Sequence, residues 1–163
     1  MTSKSIGSTS TSRVANPGPL RPPRIFLAAI ILGILGHLFW PVHLVSRAVG
    51  IPAGVLLVVA AVGLFVGATR AFKAAGTPVP GNEPATAIVK AGPYRFSRNP
   101  IYLAFVVFQF GLALLVNSLS LVITLVPAFG LMAFVVIPRE ERYLMERFPV
   151  EYSEYRESVR RWL

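Results

Sequence analysis

The sequence contains no cysteine, and its only imidazoles are those of His37 and His43. Without cysteine there is no disulfide, no thiolate nucleophile and no cysteine-based metal site. The two histidines flank the end of the first long apolar run, with no carboxylate near them in sequence. Such a pair is structural or interfacial far more often than metal-ligating, and no metal is expected. Charge is also scarce: 14% of the 163 residues are charged and 54% are hydrophobic. That balance, with a mean hydropathy of +0.63, excludes an ordinary soluble globule and points to an integral membrane protein. Acidic residues are outnumbered seven to sixteen, for a net charge of +9. The basic residues sit beside apolar runs instead of forming one separate patch, so an anionic inner leaflet accounts for them better than nucleic acid does. No nucleic-acid partner is expected.

What is present is a series of apolar segments. Residues 1–24 are rich in Ser, Thr, Gly and Pro, carry scattered basic residues, and read as a disordered cytoplasmic tail. The remainder, 25–163, reads as one all-α membrane domain. Spans are expected at about 25–45, 53–69, 101–116 and 121–137, followed by a cytoplasmic, amphipathic helical tail at 138–163. The apolar run at 25–45 is too long for a secretory signal. Pro41 lies near its far end, and Gly50-Ile51-Pro52 reads as a turn. Gly54, Gly63, Gly67, Ala60 and Ala61 would let the second span approach a neighbour closely. Residues 70–90 form a breaker-rich loop, 117–120 an uncharged turn, and Pro127 a kink in the last span. Arginines crowd the N-terminal tail, the loop at 70–98 and the C-terminal tail, whereas the other two turns hold only Arg47. By the positive-inside rule both termini face the cytoplasm, in agreement with an even number of spans.

The stretch at 90–102, Lys-Ala-Gly-Pro-Tyr-Arg-Phe-Ser-Arg-Asn-Pro-Ile-Tyr, departs from this apolar background. Gly92-Pro93 ends what precedes it, and Pro100 suits the first turn of a helix. Arg95, Arg98, Tyr94 and Tyr102 thus collect at a membrane boundary, where they read either as an anchor with an aromatic belt or as part of a site. Topology brings a second group to them. The helix from Tyr102 to Asn117 covers about 22 Å and that from Ser120 to Pro138 about 27 Å, at 1.5 Å per residue. An antiparallel hairpin therefore returns Glu140-Glu141, the only adjacent acid pair in the chain, to the level of Tyr94 and Tyr102. Pairing of these acids with nearby arginines on a solvated helix start is the plainer alternative.

The pattern Gly92-x-Tyr94-x-x-x-Arg98-Asn99-Pro100-x-Tyr102, an apolar hairpin, and then Glu140-Glu141-x-x-Leu144-x-x-x-Phe148-x-x-Glu151-Tyr152-x-x-Tyr155 resembles the isoprenylcysteine carboxyl methyltransferase family. The wider group includes the membrane phospholipid methyltransferases. The resemblance covers about half the chain, from Thr86 onward. It implies S-adenosylmethionine as cofactor, held at the cytosolic ends of the last helices by Ala87, Ile88, Val89, Tyr94, Asn99, Pro100, Ile101, Tyr102, Glu140 and Glu141. An apolar Ile88-Val89 edge with aromatic rings suits an adenine, and Glu140 suits the methionyl ammonium. Arg98, Tyr102 and Glu140 are the residues expected at the reacting centre. Arg95, Arg98 and Arg139 are candidates to hold an anionic acceptor or to anchor on lipid phosphates.

Three positions depart from the family pattern: Asn99 replaces a histidine, Ala104 a glycine, and Val136 an arginine that contacts the substrate carboxylate in prenylcysteine enzymes. The expected activity is S-adenosylmethionine-dependent methyl transfer to a lipidic or prenylated acceptor, on a carboxylate or an amine, at the cytoplasmic face. An NADPH-dependent sterol-type reductase and a non-enzymatic four-helix membrane protein are the two rival readings.

Overall fold

The structure is a computed structural model that describes residues 21–79 and 84–163. The remaining residues, including most of the expected N-terminal tail and part of the breaker-rich loop, lie outside the described residues. Helices α1 (Pro22–Phe39), α2 (Arg47–Ala74), α3 (Pro100–Val116), α4 (Leu119–Leu131), α5 (Ile137–Arg147) and α6 (Pro149–Ser158) make an all-helical protein, with no strand among the described residues. α1, α2 and the continuous helix Leu119–Arg147 are long and apolar enough to cross a membrane. α3 is equally apolar but has 17 residues, about 26 Å at 1.5 Å per residue. Side chains such as Leu38, Leu56, Val126 and Phe134 point outward from these helices and are largely exposed. Apolar faces of that extent require lipid rather than water; the chain is a multi-pass membrane protein.

Several helix ends differ from the sequence expectation, each for a local reason. α1 begins at Pro22, inside the expected tail, and stops at Phe39 instead of running to residue 45. Pro41 explains the stop: a residue preceding proline is driven out of the helical region, and Trp40 has φ −143° and ψ 86°. α2 starts at Arg47, so Gly50, Ile51 and Pro52 are helical and not a turn. Pro52 lies in the second turn, where its ring removes a single helical hydrogen bond while both flanks continue. The same helix runs past residue 69 to Ala74, placing Arg70 and Lys73 on a helix and not in a loop. The turn between α3 and α4 is shorter than expected: Asn117 closes α3 in the left-handed region (φ 56°), and Ser118 Oγ accepts from the Leu121 N–H.

The largest correction concerns Pro138. It does not open a separate tail helix, because the chain stays helical from Leu119 to Arg147. Residues Met132–Val136 form a π turn, in which the Ile137 N–H reaches back to the Met132 carbonyl. The wider turn comes just before Pro138 and relieves the clash its ring would make with the preceding turn, so the helix passes through a proline without breaking.

α2 packs most extensively on α3, α1 on α4, and α3 on α4. Gly54 and Gly111 make the first contact possible. A Cβ on Gly54 would lie 2.8 Å from the Gly111 carbonyl oxygen and 2.7 Å from Leu115 Cγ. Gly63 and Ala60, expected to serve the same purpose, do not: Gly63 has nothing within 4 Å and Ala60 is exposed. At one end of the bundle Asn117 ties the two turns together, its Oδ1 accepting from the Leu44 and Val45 N–H groups and its Nδ2 donating to the Val45 carbonyl. At the opposite end the start of α1, the end of α2, the start of α3 and the start of α5 converge.

Candidate active site

Where those ends converge, they enclose a cavity of about 190 Å³. Its walls follow from the local sequence. Gly92, at φ +59°, turns the chain into a short 3₁₀ segment, Gly92–Arg95, that carries Tyr94 inward. Pro100 sits at the N-terminus of α3, so Ile101 and Tyr102 project from its first turn. The segment Ala87-Ile88-Val89 crosses one side as an apolar wall. Phe72 of α2 meets the Tyr94 ring edge-on, with centroids 5.2 Å apart.

Polar groups occupy the floor. Tyr102 Oη donates to Glu140 Oε1 at 2.6 Å, and both residues are buried. The neighbouring Glu141 turns elsewhere. Arg98 Nη1 lies 3.0 Å from its Oε1, while Arg161 Nε and Nη2 donate to its two oxygens at 3.1 and 2.6 Å. Arg98 Nη1 also lies 3.5 Å from the Tyr152 Oη. The Tyr155 Oη donates to the Tyr94 carbonyl at 2.7 Å, tying α6 over the 3₁₀ segment. Burial pushes the Tyr94 hydroxyl well above its ordinary range, with Tyr155 and Glu140 adding to it. Burial likewise raises Tyr152, with Glu141 adding and Arg98 opposing, and raises Tyr155. All three therefore remain protonated donors at neutral pH.

The structure brings Ala87, Ile88, Val89, Tyr94, Arg98, Asn99, Ile101, Tyr102, Glu140 and Glu141 to this one cavity. Pro100 is fully buried but does not line it. Arg95 and Arg139 are exposed and outside it, so of the three arginines considered only Arg98 faces inward. Val136 is buried in the core away from the cavity, and Ala104 lines an apolar groove between α1, α2 and α3 instead. Asn99 spends its side-chain amide on the Arg161 carbonyl, at 2.9 Å.

The profile of the phospholipid methyltransferase family matches residues 49–151, more than half of the chain and every helix that builds the cavity except α1 and most of α6. The chain belongs to that family. Among curated proteins it is 45% identical over 75 residues to the protein-S-isoprenylcysteine O-methyltransferase of Saccharomyces cerevisiae, a stretch covering 44% of this chain and 30% of that one. It is 38% identical over 68 residues to the cobalt-zinc-cadmium resistance protein CzcN of Cupriavidus metallidurans, covering 42% and 31%. The chain thus spans about a third of the length of the curated relatives it matches.

In this member of the phospholipid methyltransferase family, sequence reasoning missed several wall residues. Phe65 and Phe72 come from a uniformly apolar helix, where no periodicity marks the face that turns inward. Tyr152 and Tyr155 stood in the motif, and their i, i+3 spacing on an otherwise polar helix was the signal that could have placed them. Arg161, which does not line the cavity but holds Glu141, carried no signal, being part of a short basic run.

Proposed function

We propose that the cavity binds S-adenosylmethionine and that the protein transfers its methyl group to a lipidic or prenylated acceptor at the cytoplasmic membrane face. The observation that carries this reading is the buried Tyr102–Glu140 bond facing an apolar shelf of Ile88 and Val89 within one cavity. A fixed, buried carboxylate suits an α-ammonium, and the shelf with the Tyr94 and Phe72 rings suits an adenine. Tyrosine ring faces beside it favour a positive charge. The residues present fit such a cofactor.

When bound, S-adenosylmethionine supplies a methyl group already activated on a sulfonium. The protein's part is to align the acceptor and to exclude water. Ile88, Val89, Phe72 and Tyr94 keep the site apolar, while Glu140 and Tyr102 fix the polar end. A carboxylate acceptor needs no base, whereas an amine acceptor must lose a proton.

In the same reading α3 is a fourth crossing. It is somewhat shorter than the hydrocarbon core, but it packs along two helices that span it, and local thinning accommodates the difference. The Arg-rich ends then lie in the cytoplasm, where the cofactor is available. The apolar groove between α1, α2 and α3, which shares Pro23, Phe65 and Phe105 with the cavity, gives a lipid chain a route from the bilayer.

Binding to the detergent-purified protein tests the proposal. Radiolabelled S-adenosylmethionine is expected to bind saturably and NADPH not to bind. Binding of NADPH alone would make the protein a reductase, and binding of neither would leave a non-enzymatic membrane protein.

A further inference from the structure

Beyond α6 the chain turns back onto the segment that leads into α3. The Arg98 N–H donates to the Arg160 carbonyl at 3.0 Å, and the Asn99 amide and the Ser97 hydroxyl both donate to the Arg161 carbonyl, at 2.9 and 3.4 Å. Trp162 packs on Phe129 of α4 with ring centroids 5.1 Å apart. Arg161 is thereby held by the backbone on one side and by its aromatic neighbour on the other, with its guanidinium laid across both oxygens of Glu141.

Two guanidinium groups share that single carboxylate, a local excess of one positive charge over Glu141 alone. The Arg98 side chain is 9% exposed, lines the cavity, and has a buried Nε with no hydrogen-bond partner. A buried charged donor left without a partner is costly, which marks this guanidinium as incompletely satisfied. Glu140 and Glu141 are adjacent in α5, one turned to Tyr102 and the other to the arginines. A carboxylate pole and a guanidinium pole therefore border the same cavity a residue apart.

We infer that Arg161 is a positioning residue: acting through Glu141, it orients Arg98 so that the free side of its guanidinium receives the α-carboxylate of an amino-acid group whose ammonium meets Glu140. The inference rests on the S-adenosylmethionine reading and assigns the other half of the cofactor's zwitterion. Arg161 occupies both Glu141 oxygens and so holds that carboxylate in one orientation. Arg98 thus commits Nη1 to Glu141 and the Tyr152 hydroxyl, while its side chain lines the cavity. Two arginines on one acid also keep the pair from collapsing into a neutral bridge.

The test titrates the purified full chain with two ligands, S-adenosylmethionine and its decarboxylated form, which keeps the ammonium and the sulfonium but has no carboxylate. Wild type is expected to prefer S-adenosylmethionine. Arg161→Ala should weaken S-adenosylmethionine about tenfold, the loss of one charge-assisted contact, and leave the decarboxylated ligand within about twofold. The Arg161 side chain is 38% exposed, so its removal opens no buried void. Arg161→Lys should recover only part of the loss, because a single ammonium cannot span both oxygens. Equal losses for both ligands would mean that the segment merely supports the fold, and no loss for either would mean that Arg161 positions nothing. A raised KM for the acceptor with cofactor affinity unchanged would assign Arg98 to the acceptor instead. Failure of the wild type to bind S-adenosylmethionine, seen before any variant is compared, would overturn the methyltransferase reading itself.

Discussion

Tyr102 Oη donates to Glu140 Oε1 at 2.6 Å across a sequence separation of 38 residues. The bond joins the first turn of α3 to the first turn of α5, and it exists because α3 and α4 form an antiparallel pair whose free ends reach one level. Both side chains are buried, so the bond forms away from competing water and fixes the rotamer of the carboxylate. It places a defined acceptor at the polar end of an otherwise apolar cavity.

Glu140→Gln is expected to weaken S-adenosylmethionine by about one to two decades, the worth of a charge-assisted bond of roughly 1.5–3 kcal/mol. Glutamine keeps the size and one acceptor oxygen but loses the charge. S-adenosylhomocysteine has the same ammonium and should weaken in parallel. Glu141→Gln acts only through Arg98 and should cost less. Calorimetric titration of both variants measures this; wild-type affinity in Glu140→Gln would remove Glu140 from the site.

Tyr102→Phe keeps the ring and deletes the donor. The buried Glu140 carboxylate then loses the Tyr102 bond, which should cost about 1–3 kcal/mol of stability. Thermal unfolding in detergent is the measurement. A ligand ammonium at Glu140 offsets the lost Tyr102 bond, so saturating S-adenosylhomocysteine should raise the variant's melting temperature more than the wild type's. An equal rise in both would show that Glu140 does not meet the ligand.

The approach of Glu140 to Tyr102 was legible in the sequence, because it depends only on two apolar lengths and a short turn. Apolar runs also gave the helix-forming segments. Helix ends were less legible where proline was involved. Pro41 stops α1, Pro52 is absorbed by α2, and Pro138 is carried by a π turn; the residue is the same and the outcome is set by its neighbours. The inward face of α2 could not be read, since a helix apolar on all sides has no periodic signal. Arg161 lay beyond reach for a different reason. Its part depends on a chain reversal after α6 fixed by hydrogen bonds from Ser97 and Asn99, and nothing in the run of basic residues foretells it.

The contact between α2 and α3 offers a test of packing. Gly54→Ala puts a methyl 2.8 Å from a backbone carbonyl, which neither helix can yield without moving, and should destabilise by about 1–3 kcal/mol. Gly63→Ala, on the same helix with nothing within 4 Å, should be neutral or stabilising by up to about 1 kcal/mol. Melting temperatures in one detergent compare the two directly. Equal behaviour would mean that the helices are not in close contact at Gly54.

Arg98 and Arg95 separate a site arginine from an anchoring one. Arg98 is enclosed and shares Glu141 with Arg161, whereas Arg95 is exposed. Lysine keeps the charge and loses the planar fork. Arg95→Lys should leave insertion and cofactor affinity near wild type. Arg98→Lys should insert normally but bind S-adenosylmethionine about tenfold more weakly, since a lysine cannot serve Glu141 and a ligand at once. Titration alongside expression yield decides it, and an unaltered Arg98→Lys protein would place Arg98 with the anchors.

The last prediction concerns orientation. The cavity lies at the end of the bundle where α1 and α3 begin and α2 ends, with the basic residues Arg70, Lys73, Lys90, Arg95 and Arg98 nearby in sequence. The other end carries the turns that Asn117 staples together, with Arg47 as the one nearby cation. By the positive-inside rule the cavity end is expected to face the cytoplasm, and an even number of crossings would put both termini there. A reporter fused after Leu163 should read cytoplasmic. One inserted between Asn117 and Ser118 should read external, and a two-residue turn has to be lengthened by a flexible linker to accept it. An external reading at the C-terminus would put the cavity in a compartment without the cofactor. An internal reading at the turn alone would mean that α3 and α4 enter as a re-entrant pair rather than as two crossings.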